Sequence, residues 1–157
     1  MSEIKKIRLE KKLTQQQVAD FVGVSLRSYK SYENDKVKEG TIKYNYILEK
    51  LNDLNPIDED HGILDMDFIK EKCKEVFDEY PVHYCILFGS YAKEKANESS
   101  DLDFLISSDL KGIKFYGLVE KLRLALHKRV DVLNLDQLKD NLELTNEILR
   151  DGIRIYG

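Results

Sequence analysis

Between Asn52 and Asp67 the period of the apolar residues changes, and with it the kind of structure the chain can form. Before this stretch, NDLNPIDEDHGILDMD, apolar residues recur at helical spacing and nothing alternates. Ile4, Ile7 and Leu9 mark IKKIRLEKK; Val18, Phe21 and Val22 mark TQQQVADFVGV; LRSYKSYEN follows closely; and Ile42, Tyr46, Ile47 and Leu51 mark TIKYNYILEKLNDL. After it, helical and alternating segments take turns. The stretch itself holds Pro56, Gly62 and a run of acids without helical spacing, so it reads as a connection. The expected organisation is an all-α unit over residues 1–54, a linker over 55–65, and an α/β (or α+β) unit over 66–157.

In the second unit, DMDFIKEKCKEVFDEY is expected as a helix capped by Asp65 or Asp67 and stopped at Pro81. HYCILF, DLDFLIS and RVDVLNL read as strands, SYAKEKA as a short helix and KFYGLVEKLRLALHK as a longer one. LDQLKDNLELTNEILRDG reads as mostly helical with Gly152 as its C-terminal stop, and IRIY as a last short strand. Charge divides along the same boundary. Residues 1–55 carry 11 Lys and Arg against 8 Asp and Glu, and the remainder carries 14 against 21. A mildly basic front and an acidic back suit different partners. No apolar run approaches membrane-spanning length, and MSEIKKIRLEKK has no signal-peptide core, so the chain is expected in the cytoplasm without a membrane partner. Cys73 and Cys85 form no CxxC pair and read as buried free thiols, and His61, His83 and His127 are too scattered for a metal cluster. The tyrosines of the front unit, Tyr29, Tyr32, Tyr44 and Tyr46, read as packing residues.

LTQQQVADFVGVSLRSYKSYEND has the spacing of two helices joined by a tight turn. Thr14 can cap the first helix, Gly23 can end it through a positive φ, and Ser25 can cap the second. Leu13-Thr14-Gln15, Val18-Ala19, Gly23-Val24-Ser25 and Tyr32-Glu33-Asn34 together resemble the Cro/repressor-type helix-turn-helix family, over about residues 3–54. The resemblance implies that the second helix enters the major groove of operator DNA. Leu26, Arg27, Ser28 and Ser31 would then face bases, with Gln15, Lys30 and Asn34 nearer the backbone and Ser25 at the start of the same helix. Arg27 suits guanine through its two-pronged donor geometry. The resemblance also implies an Arg8–Glu33 pair. The modest positive charge makes a single copy a weak DNA ligand, for which a homodimer on two half-sites is the usual remedy.

The second unit poses a chemical question. DLDFLIS places Asp101 and Asp103 on one strand face, roughly 6.5–7 Å apart, with Leu102 and Phe104 on the other. Two carboxylates so close repel each other in a half-buried strand, and a divalent cation such as Mg²⁺ would offset the repulsion while leaving room for phosphate oxygens. Ten residues earlier, Gly89-Ser90 lies between an apolar strand and a short helix. Gly89 would let a ligand approach the backbone, and Ser90 would offer a hydroxyl at a helix start that favours anions. RVDVLNL adds a third carboxylate, Asp131.

The order Gly-Ser, ten residues, Asp-x-Asp and a later Asp in an apolar strand resembles the DNA-polymerase-β-like nucleotidyltransferases. More narrowly, FGSYAKEKANESSDLDFLI is similar to the minimal nucleotidyltransferases of prokaryotes, and the similarity runs over about residues 66–157, including EILRDGIRIY. It implies a polymerase-β-like fold with a mixed sheet. It further implies that Asp101, Asp103 and Asp131 are catalytic and hold two Mg²⁺ ions, with Asp131 also the base, and that Gly89, Ser90 and Lys93 bind the triphosphate of ATP. Lys93-Glu94 stands where many members have Arg-Gly, which keeps a positive charge but loses the guanidinium fork. Stand-alone members resemble antitoxins that transfer AMP to a tyrosine of a HEPN-type ribonuclease toxin, and a DNA-binding front unit suits autoregulation of such an operon. Two other functions fit some of the same residues: a nucleotidyltransferase acting on small molecules such as antibiotics, and a transcriptional regulator with a non-catalytic nucleotide-binding domain.

Overall fold

In the computed structural model, which describes residues 1–157 throughout, the chain divides into two units, Met1–Pro56 and Ile57–Gly157. The first is wholly helical: α1 (Glu3–Glu10), α2 (Gln15–Val22), α3 (Leu26–Asn34), a short 3₁₀ turn over Lys36–Lys38, and α4 (Ile42–Asp53). Hydroxyl side chains start each α-helix. Ser2, Thr14, Ser25 and Thr41 accept hydrogen bonds from the backbone N–H groups of Lys5, Gln17, Ser28 and Tyr44. Each such cap is worth about 1 kcal/mol. Gly23 ends α2 at φ +77°. Ile4, Val18, Ala19, Tyr29, Ile47 and Leu51 are fully buried and form the core.

Four apolar assignments fail here, the first being Leu9, which is about half exposed. Phe21 is half exposed, and α4 buries Tyr44, Ile47 and Leu51 while Ile42 is 92% exposed and Tyr46 is 45% exposed. TIKYNYILEKL carries two stripes of helical spacing, and only the one centred on Ile47 reaches the core. The Arg8–Glu33 pair forms as a two-pronged bond, with Nε to Oε2 and Nη2 to Oε1 both at 2.9 Å. Arg8 also donates to the Leu13 carbonyl, so one buried guanidinium ties α1, α3 and the turn before α2 together.

The second unit contains α5 (Met66–Phe77), β1 (Val82–Phe88), α6 (Gly89–Ala92), β2 (Leu102–Ser108), α7 (Ile113–Leu126), β3 (Val130–Asn134), α8 (Leu142–Asp151) and β4 (Ile153–Tyr156). The sheet runs β3-β2-β1-β4; β1 is antiparallel to β2 and β4, and β2 is parallel to β3. This is the expected mixed sheet. Leu102, Phe104 and Ile106 point to one face and join Ile69, Phe77, Leu118 and Leu122 of α5 and α7. Leu105 points to the other and meets Phe88 and Ile148 of α8. Over Leu102–Ile106 both faces of β2 are therefore covered except where Asp103 stands. β3 is an edge strand, and its Val130 and Val132 are only partly buried.

Local differences from the expectations have physical causes. α6 is a single turn that stops at Ala92, since Glu94 turns left-handed at φ +57°. Residues 135–151 are mostly helical, as expected, but in two pieces. A 3₁₀ turn over Leu135–Leu138 gives way at Asp140 (φ +67°), and Asn141 caps α8 by accepting from the Leu144 N–H. Asp65 precedes α5 without a side-chain cap bond. Gly152 is extended (φ −64°, ψ 145°), not left-handed. A Cβ there would run into the Ile148 carbonyl oxygen and Ile86 Cγ2, so the glycine serves close packing of α8 on β1.

The segment after Pro56 packs on the second unit. Asp58 and His61 bridge each other, and His61 and Leu64 are buried. The ammonium of Lys128, a fully buried residue, donates to the carbonyls of His61 (3.0 Å), Gly62 (2.6 Å) and Glu98 (2.7 Å). Cys73 and Cys85 are buried free thiols, and burial pushes Cys73 up to about 12.

Candidate functional site

Strand register brings the three aspartates together. Asp103 pairs with Phe88 of β1 on one side and with Asp131 of β3 on the other. In a parallel pair, residues in register share a face about 4.8 Å apart. Asp131 is thus the neighbour of Asp103, and Asp101 lies two residues back along the chain. Gly89 follows Phe88 directly, so the same register lays the Gly89 turn against Asp103. Its φ is +73°, and a Cβ at this position would collide with Asp103 Oδ2. The Asp103 carboxylate fills the space a side chain would need there, which makes Gly89 necessary to the position of Asp103.

Electrostatics follow from this crowding. Partial burial first, then the charges of Asp131, Asp101 and Glu147, push the Asp103 carboxyl up to about 6. Asp101 is drawn to Arg129, whose Nε stands 3.3 Å from Asp101 Oδ1 and whose terminal nitrogens lie 3.6–3.7 Å from Glu59 and Asp60. Lys93 Nζ stands 2.7 Å from Glu147 Oε1 of α8. Ser90 is partly exposed in the first turn of α6. The donors are all hard oxygens, which suits Mg²⁺ rather than a thiolate-preferring metal. As they stand, no three His, Cys, Asp or Glu side chains are near enough to one another to hold a metal ion.

Glu147, Arg129 and the acids Glu59 and Asp60 escape sequence reasoning. Glu147 stands 54 residues from its partner Lys93 and Arg129 stands 28 from Asp101, and Glu59 and Asp60 come in only through Arg129. The only advance sign is the charge pattern of NEILRDG beside its apolar stripe.

On the first unit, Arg27, Lys30 and Asn34 of α3 are exposed, as is Ser25 before it, and Leu26, Ser28 and Ser31 are partly exposed. Gln15 is partly turned inward, its amide 3.3 Å from Glu33 Oε1. Ser31 Oγ is engaged by Lys38 Nζ, and Lys38 and Lys43 lie 4.7 and 5.7 Å from the Tyr32 ring centre. These lysines extend the positive charge of α3 and went unassigned in the sequence reading. Phosphate oxygens are the ordinary partners of such a cationic edge.

Comparison with known proteins adds the following. The family model described as "Polymerase beta, Nucleotidyltransferase" matches residues 71–157, and a helix-turn-helix model matches residues 4–38. No curated protein matches the chain. Among solved structures, a toxin–antitoxin complex with AMP-PNP is 24% identical, over 56% of this chain and 73% of that one, with a TM-score of 0.49. A tri-AMPylated Shewanella oneidensis HEPN toxin in complex with MNT antitoxin is 22% identical, over 59% and 73%, with a TM-score of 0.46. The toxin–antitoxin MntA-HepT is 21% identical, over 58% and 72%, with a TM-score of 0.45. With more than half of its residues under the first model, and the mixed sheet and aspartates inside that span, the chain belongs to the polymerase-β nucleotidyltransferase family.

Proposed function

We propose that the second unit transfers AMP from ATP to a tyrosine hydroxyl of a partner HEPN-type ribonuclease toxin, and that the first unit binds operator DNA. The chain would then be an autoregulating antitoxin acting in the cytoplasm, where both ATP and operator are found. The observation that carries the reading is the row of Asp101, Asp103 and Asp131 on adjoining strands beside the Gly89 turn. Asp103 already binds its proton more tightly than an ordinary carboxyl, the mark of a site short of positive charge.

Asp101, Asp103 and Asp131 would hold Mg²⁺, two ions in this reading, and the metal when bound supplies charge neutralisation at the phosphate oxygens. Gly89 and Ser90 would receive the triphosphate at the partly exposed backbone and hydroxyl of α6, with Lys93 adding charge. Asp131 is solvent-exposed on the edge strand, where an acceptor hydroxyl can reach it. It would take the tyrosine proton as the new bond forms between tyrosine oxygen and α-phosphorus. The bond from the α-phosphorus to the bridging oxygen breaks, and pyrophosphate leaves. The chain's share is mostly positioning and charge neutralisation. On the first unit, Leu26, Arg27, Ser28 and Ser31 would read bases, and Gln15, Ser25, Lys30 and Asn34 would fix register on phosphates, in a homodimer spanning two half-sites.

The test is the intact mass of the small protein that co-purifies with this chain from its own host, for wild type and for the Asp101→Asn/Asp103→Asn double variant. A partner heavier by whole AMP units with wild type alone is the expected result. A partner bound equally by both and never modified would make this a binding antitoxin without transfer activity.

A further inference from the structure

The triphosphate cradle contains a cation that is already neutralised. Lys93 pairs with Glu147 at 2.7 Å, and both side chains are about 30% exposed. The pairing follows from how α8 is fixed. Ile148, the next residue, is buried against Phe88 and Leu105, and the bare Gly152 lets the last turn of α8 rest on Ile86. Glu147 is thereby held toward α6 by packing on both sides of it. One turn further along α8, Asp151 feels Lys93 and Lys95 as well as its neighbour Arg150. An acidic row thus runs along the basic residues that follow α6.

A site built only to attract a polyanion would leave Lys93 unpaired, and Glu147 also adds its charge to the group of aspartates. Building on the nucleotidyl-transfer reading above, we propose that Glu147 is a gate on the cradle: its carboxylate holds Lys93 until a triphosphate displaces it, and so sets nucleotide affinity without touching the nucleotide. A triphosphate bears more charge than a carboxylate and wins the exchange at Lys93. The exchange costs the Lys93–Glu147 pair, which must open before the triphosphate is held. Binding is weaker than Lys93 alone would give, and release is correspondingly easier. Glu147 acts through Lys93 and is a positioning residue.

The experiment is calorimetric titration of the full chain with Mg²⁺ and α,β-methylene-ATP, which cannot transfer AMP. Four forms are compared: wild type, Glu147→Gln, Lys93→Met and the double variant. Glu147→Gln is expected to tighten binding about fivefold, the scale of a partly exposed ion pair. Lys93→Met is expected to weaken it by a similar factor. In the Lys93→Met background, Glu147→Gln should change affinity less than twofold, because no pair remains to open. Unchanged or weaker binding by Glu147→Gln overturns the gate. So does the same tightening with and without Lys93, which would be a general field effect. Should Lys93→Met unfold, Lys93→Gln replaces it in the cycle. If none of the forms binds the nucleotide while all melt like wild type, the nucleotidyl-transfer reading fails and the gate with it.

Discussion

At the scale of single residues, Asp103 is held where it is worst placed for stability. It lies beside Asp131, near Asp101 and Glu147, and partly buried, which together push its carboxyl up to about 6 from an ordinary value of 3.8. The fold therefore holds this proton more tightly than the unfolded chain does. The stability so gained is complete below the unfolded value and is lost as pH rises through about 6. Asp103→Asn removes the charge without changing the shape. It should raise the stability of the second unit at pH 7.5 by about 1 kcal/mol after allowance for solvent screening, or roughly 5 °C, and by almost nothing near pH 4. Thermal unfolding followed by circular dichroism at both pH values checks this. A loss of stability at pH 7.5 would mean that ionised Asp103 makes a favourable contact that outweighs the repulsion. This part of the site was legible in advance, because alternation in DLDFLIS already separates the aspartates from Leu102 and Phe104. The collision that forbids a side chain at Gly89 was not, since it arises from the register between β1 and β2.

At the scale of elements, two glycines end helices for different reasons. Gly23 needs its positive φ, and nothing lies within 4 Å of where its Cβ would be. Gly152 has an ordinary φ and no room. Gly23→Ala should cost on the order of 1 kcal/mol, the strain of a left-handed alanine. Gly152→Ala should cost more, about 2–3 kcal/mol, because a backbone carbonyl and a packed isoleucine must both give way. Urea unfolding of the two variants separates them, and equal costs would refute the packing account of Gly152. Sequence reasoning found both stops but not the separate cause of the second, since local patterns show that a glycine is needed and not what lies across from it. The same limit explains α4. Ile42–Tyr46 and Tyr44–Ile47–Leu51 are equally periodic, and only the position of α1 and α2 selects the second. The break between the two helical pieces of 135–151 has a local cause that the sequence does carry, Asp140-Asn141, a pair that favours a left-handed residue followed by a cap.

At the scale of the molecule, the division between units is a question of what holds the residues after Pro56. Residues 57–65 lie apart from any long element, yet His61 and Leu64 are buried and Lys128 holds two carbonyls from this segment. A fragment of residues 57–157 should therefore fold, whereas one of residues 66–157 leaves the Lys128 ammonium with the Glu98 carbonyl alone. The shorter fragment should be less stable by about 2–4 kcal/mol, the scale of a buried charge stripped of partners. Denaturant melts of the two fragments decide it, and identical midpoints would show that Lys128 finds water instead. The same corner also fixes the loop that carries Asp101, since Glu98 lies three residues before it.

Many proteins close such a ring of carbonyls around a potassium or sodium ion taken from solution. Here the cation is part of the chain and cannot exchange. Replacing potassium by sodium, or diluting either, should leave this corner intact. A change in behaviour on altering the ionic medium then reports on the acids beside Gly89 or on the cationic edge of α3, where ions come and go.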